Sequence, residues 1–176
     1  MAPGDDVQRL VICFHVLLVL AVCGFIVAFS SPEWSVLYVF STYIYAGLWT
    51  CKDGVWCSLN VLGNPLATQC LEIVALVADV TSVAALVFSY GVQVLENRFL
   101  IYQNLARRLA AVAATVGGVL GVMGAILYST YTHDNLAWAF VLSVFASVVI
   151  MVSGVSLLVL GTRRAKQKIH RSYESL

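Results

Sequence analysis

The chain has 176 residues, 61% of them apolar and 11% charged, with a formal net charge of +1 and a mean hydropathy of +0.91. A water-soluble domain carries about 25% charged residues, so this composition has too little polar surface for a soluble fold and too much apolar surface for a disordered chain. No continuous basic face exists to neutralise phosphates, which excludes a nucleic-acid partner and leaves a lipid bilayer as the expected surrounding.

Four runs reach the roughly 20 apolar residues that a helix needs to cross the hydrocarbon layer. They cover residues 10–30, which contain His15; residues 66–95, which contain Glu72 and Asp79; residues 105–129; and residues 136–161, which carry no charge. Lipid gives the backbone no hydrogen-bond partner, so runs of this length read as helices. The expected fold is all-α transmembrane, a left-handed four-helix bundle forming one membrane domain over residues 1–176. The first run is longer than a signal-peptide core, and its removal would place the two termini on opposite sides, so it is expected to stay attached.

Cytosolic segments are enriched in Lys and Arg. Arg9, then Arg98, Arg107 and Arg108 between the second and third runs, and Arg163, Arg164, Lys166, Lys168 and Arg171 in the tail make nine of the ten basic residues; Lys52 is the other. Both termini are therefore expected in the cytosol, with residues 162–176 as a tail that attracts anionic lipid. Residues 31–65 then form a large outer loop and residues 130–135 a short one.

In the large loop, the stretch from Trp34 to Tyr45 is aromatic and β-branched with no proline or glycine, a composition that favours strands. Two further apolar stretches flank Lys52-Asp53-Gly54, which has the chemistry of a hairpin turn. A small extracellular antiparallel sheet is expected. Cys51 and Cys57 lie in this loop, facing an oxidising compartment, and are the candidates for a disulfide supporting it, worth about 2 kcal/mol in the entropic picture. A three-residue hairpin loop would set them opposite each other, whereas a two-residue Asp-Gly turn would offset them. Cys13, Cys23 and Cys70 fall in or beside the spans and read as small packing residues.

Trp34, the run Gly47-Leu48-Trp49, Cys51 and Cys57, set in the first outer loop of a four-span chain, resemble the motif of the claudin superfamily. That group includes claudins, peripheral myelin and epithelial membrane proteins, and stargazin-type channel subunits. The resemblance implies that Trp34 and Gly47-Leu48-Trp49 seat the sheet on the outer membrane surface and that Cys51 and Cys57 form the loop disulfide. It also implies a plasma-membrane protein of cell–cell contacts that contributes to junction assembly or a paracellular barrier. Its partners would be further copies of itself or related four-span proteins on the same or a neighbouring cell. The chain departs from the family pattern in having Thr50 alone between Trp49 and Cys51, a shorter gap between the cysteines and a short first loop. Glu33, Lys52 and Asp53 are the charges of that loop, too few to suggest an ion-selecting pore lining. An auxiliary subunit of a channel or receptor is the alternative within the superfamily.

In the third run Ala113, Gly117, Gly121 and Ala125 recur every four residues and form a helix-packing stripe, expected to serve within the bundle. Asp79 lies about 20 Å into its helix, near the bilayer midplane. It is expected to face the bundle and either hold a proton or accept hydrogen bonds from Thr115 or Ser147. Glu72 shares its face one heptad nearer the outer surface, close enough to reach water, and His15 lies at a different depth, too far to pair with Asp79. A proton or cation transporter using Asp79 is therefore a second functional alternative. No enzymatic arrangement is expected: His133 and Asp134 are adjacent in a short turn with no nucleophile or second ligand. Neither a cofactor nor a metal is implied. Glu174 and Leu176 fit the outline of a terminal motif for a cytosolic PDZ scaffold, although an ordinary exposed tail is the default.

Overall fold

The computed structural model describes residues 3–39, 42–49, 66–95, 100–131 and 135–174. In chain order these form α1 (Pro3–Ser30), β1 (Ser35–Val39), β2 (Thr42–Ala46), α2 (Leu66–Leu95), α3 (Leu100–Tyr131), β3 (Asn135–Leu136) and α4 (Trp138–Glu174). Each helix contains a segment long and apolar enough to cross a membrane: Val7–Ser30, Leu66–Gly91, Tyr102–Thr130 and Trp138–Arg163. The expected all-α bundle with a small antiparallel sheet is the fold observed.

Three helix ends lie well outside the sequence reading, the first being that of α1, which starts at Pro3 rather than near 10. Helix α3 starts at Leu100 rather than near 105, and α4 does not end near 161 but runs through the basic segment to Glu174. Extending an existing helix needs no new nucleus, and Arg, Ala, Lys and Gln in this segment are good helix formers. At the other end of the chain, α1 begins on Pro3, whose missing N–H costs nothing in the first turn. It stops at Ser30, two residues before Pro32, where the Ser31 N–H donates to Ala28 O at 3.1 Å.

The helices pack α2 on α3, α3 on α4 and α4 on α1, with a lighter contact between α1 and α2. Their polarity is inverted relative to a soluble bundle. Large apolar side chains such as Leu20, Val77, Val87 and Phe145 point outward and are more than 60% exposed, whereas the fully buried set is rich in Ala, Gly and Ser. Hydrocarbon solvates the first group, and the second lets helix backbones approach closely. On α2 the buried positions are Thr68, Glu72, Ala75, Asp79, Ser82, Leu86 and Ser89, at alternating steps of four and three. This is the 3.5-residue repeat of left-handed helix packing.

The sheet has strand order β2-β1-β3. Strands β1 and β2 pair antiparallel from Ser35↔Ala46 to Val39↔Thr42, so the aromatic stretch supplies two strands that pair with each other. The third strand was not anticipated: Asn135, the last residue of the segment read as a short loop, and Leu136, read as the start of the fourth span, pair with Val36 and Ser35. A two-residue strand has no periodicity of its own, and it exists because α4 begins beside β1.

Candidate functional site

The sheet is fastened to the helix ends through Trp34. The residue is fully buried; its indole Nε1 donates to Ala28 O in the last turn of α1 at 2.7 Å, and its backbone N–H donates to Ala46 O at 2.9 Å. The Ala137 N–H donates to Trp34 O at 2.9 Å, tying the start of α4 to the same residue. The ring meets Tyr128 of α3 edge-on at 5.2 Å and Phe140 of α4 at 6.2 Å between centroids. Three of the four helices thus converge on one side chain, with the apolar body of Trp as packing area and its N–H satisfied. Tyr128 Oη donates to Ser35 Oγ at 3.1 Å, and the Trp138 indole donates to the Glu33 carboxylate, so the segments after α1 and before α4 are held together at this end of the bundle.

The run Gly47-Leu48-Trp49 completes the anchor. Leu48 is buried in the cluster of Trp34, Tyr128 and Ala139, and its carbonyl accepts from Gln69 Nε2 of α2 at 2.9 Å. Trp49 lies 5.2 Å from Phe29 between ring centroids. Gly47 passes so close to the Ser31-Pro32 backbone that a Cβ would sit 2.6 Å from Pro32 Cα and 2.7 Å from Ser31 O. Any side chain there would push β2 off the end of α1. Cys51 and Cys57, with Phe40, Trp56, His133 and Asp134, lie outside the described residues. The remaining cysteines, Cys13, Cys23 and Cys70, are free thiols exposed on the outer helix faces, not interior packing residues as expected. A thiol is apolar enough for a lipid-facing position, so it need not turn inward.

The second region is the interior of the α2–α3–α4 packing. Glu72 and Asp79 are both fully buried, Glu72 against the expectation that it reaches water because α3 covers it at Gly124, and among the described residues none of their four carboxylate oxygens has a hydrogen-bond partner. Each rests on a glycine of α3: Asp79 Oδ1 occupies the space a Cβ at Gly117 would need, and Glu72 Oε1 lies 2.6 Å from the position of a Cβ at Gly124. Ser147 Oγ of α4 rests in the same way on Gly121 and is also unpartnered. The expected donors to Asp79 are otherwise engaged or directed. Thr115 Oγ1 donates to Ala111 O of its own helix at 2.8 Å and packs on Gly154, the local bond that threonine hydroxyls commonly make in helices. Within the stripe, Gly117 faces α2, Gly121 faces α4 and α1, Ala125 is buried and Ala113 is half-buried. Gly118 also belongs to this packing, since a Cβ there would sit 2.5 Å from Met151 N. Sequence reasoning missed Gly118, Gly124 and Gly154, and the signal available was the coincidence of two seven-residue spacings, 72 to 79 and 117 to 124.

His15 of α1 does not reach Asp79. Its Nδ1 lies 2.6 Å from Tyr90 Oη, the two rings meet edge-on at 5.6 Å, and the Arg107 guanidinium lies 5.9 Å from the Tyr90 ring centroid. Ser82 Oγ donates to Ala110 O at 2.8 Å and Gln103 Nε2 donates to Ser89 O, fastening α2 to α3 toward the same end. Among the described residues no group of three His, Cys, Asp or Glu is gathered as a metal site would require. Neither the family models nor the curated proteins compared with this chain match it.

Proposed function

We propose that the chain is a claudin-like, non-enzymatic membrane protein of cell–cell contacts, contributing to junction assembly or a paracellular barrier through its outer sheet. The observation that carries this reading is the convergence of α1, α3 and α4 on Trp34, with Gly47 and Leu48 closing the anchor from the other side of the hairpin. Residues of the motif that resembles the claudin superfamily are thus the ones that hold the hairpin against the helix ends. A sheet so fixed presents a rigid surface, and preordered surfaces lose less entropy on association. The aromatic residues Tyr38, Phe40, Tyr43, Tyr45 and Trp56 bring contact area at few rotatable bonds, or alternatively place the loop at the lipid interface. On this reading both termini are cytosolic, the membrane is the plasma membrane, Cys51 and Cys57 form a loop disulfide, and the partners are further copies or related four-span proteins.

The test is expression in adherent cells that lack junction strands, imaging whether the protein concentrates where two expressing cells touch. Enrichment that is lost in Trp34→Ala and in the double variant Cys51→Ser/Cys57→Ser supports adhesion through the folded sheet. Uniform surface signal from properly delivered wild type refutes it and directs the search to lateral partners such as a channel or receptor.

A further inference from the structure

The helix interior contains a polar column that a contact role leaves unused. Three buried oxygens that have no hydrogen-bond partner among the described residues rest on three glycines of one α3 face, Glu72 Oε1 on Gly124, Ser147 Oγ on Gly121 and Asp79 Oδ1 on Gly117. The glycines are three and four residues apart, which sets the oxygen levels about 4.5 Å and 6 Å apart along the helix axis. Native buried polar groups are satisfied by protein, water or an ion, and an ionised carboxylate within the hydrocarbon layer is costly without a countercharge. The two carboxylates are about 10 Å apart along α2 and so cannot close on one ion. Among the described residues the multi-carboxylate cage of a divalent metal is not assembled either.

We infer that the α2–α3–α4 seam binds small monovalent cations, one neutralising Glu72 and one neutralising Asp79, with the Ser147 hydroxyl as the ligand between them. A hydron and a sodium ion share this chemistry, each bringing a single charge to a carboxylate flanked by a hydroxyl.

The column is blind. Toward the sheet it continues through the unpartnered hydroxyl of Thr68, and Glu72 is only about 9 Å from the first residue of α2. Toward the other end, the α2 position after Ser82 is Leu86, which belongs to the buried apolar cluster with Leu18, Ala110 and Ile150. Cations therefore enter and leave at the sheet end. Other titratable groups of these helices are turned elsewhere: Tyr128 of α3 bonds Ser35 above the column, His15 of α1 and Arg107 of α3 meet Tyr90 below it, and Cys70 of α2 lies exposed on the outer face. The face of α4 beside the carboxylates presents the hydroxyls of Ser143 and Ser147.

The experiment uses the full chain in lipid nanodiscs and vesicles. Infrared difference spectra in H2O and D2O test for hydrons, and thermal unfolding in Na+ against choline at constant ionic strength tests for sodium. Hydron binding gives a protonated-carboxyl band that shifts in D2O and loses amplitude in Glu72→Gln and in Asp79→Asn. Sodium binding gives a saturable rise in Tm with Na+ that Glu72→Gln and Asp79→Asn each reduce and the double variant abolishes. A wild type with neither response, or with a carboxyl band that resists D2O, overturns the site. These wild-type measurements decide the matter even if a variant fails to fold. In vesicles no transmembrane H+ or Na+ flux is expected, and a flux removed by Asp79→Asn overturns the blind geometry. Failure of the contact assay above would leave all of these readouts unchanged.

Discussion

Gly118→Ala is the sharpest probe of how closely α3 and α4 approach. The added Cβ would lie 2.5 Å from Met151 N, 2.7 Å from Ser147 O and 2.8 Å from Met151 Cα. All three are backbone atoms, so no rotamer change relieves the contact, and α3 and α4 must part by about 1 Å to restore van der Waals separation. Overpacking of this kind costs about 1–3 kcal/mol, while replacing a helical glycine by alanine returns up to about 1 kcal/mol of propensity. Gly91→Ala is the matched control, because a Cβ there meets nothing within 4 Å. Reversible unfolding in mixed micelles, followed by helical circular dichroism, should place Gly118→Ala about 2 kcal/mol below Gly91→Ala. Equal stability of the two variants would refute the close backbone approach of α3 and α4.

Three further outcomes follow from the anchor and the opposite end of the bundle. Trp34→Ala removes the buried indole and its bond to Ala28 O, and should cost about 3–5 kcal/mol; limited proteolysis should then cut within residues 31–65 while helical content is retained. Gly47→Ala drives a Cβ into the Ser31-Pro32 backbone and should expose the same segment to protease, whereas Gly24→Ala, whose Cβ meets only side chains at 3.8 Å or more, should not. Tyr90→Phe deprives the buried His15 ring of its hydroxyl partner and should lower stability by about 1–3 kcal/mol in the same unfolding assay. An unchanged midpoint would show that His15 is held by other contacts.

Much of the architecture is legible in single residues. The apolar runs give four helices because lipid offers the backbone no alternative, and the depth of Asp79 and the face it shares with Glu72 follow from 1.5 Å per residue and a seven-residue spacing. The anchoring residues Trp34 and Gly47-Leu48-Trp49 were visible as a motif. Their partners were not, since Ala28, Tyr128 and Phe140 lie on three different helices and no local pattern connects them. Strand β3 was invisible for the same reason, being defined by its neighbour β1 and not by its own two residues. The reading that Thr115 would serve Asp79 failed because a hydroxyl within a helix has a carbonyl of its own chain always in reach, at Ala111.

The sequence by itself determined what depends on neighbours along the chain: the number and length of the spans, the lipid-facing apolar surface, the strand-forming stretch after Trp34 and the burial of Asp79, whereas Glu72, read as reaching water, is buried only by the packing of the helices around it. Only the tertiary structure decided the register between helices, which sets Glu72 against Gly124, Asp79 against Gly117 and Ser147 against Gly121. Helical periodicity fixes the direction in which a residue points but not the level of the partner it meets. That level is chosen when whole faces interlock, because sliding one helix past another by a turn would bring at least one of the two carboxylates against a side chain in place of its glycine.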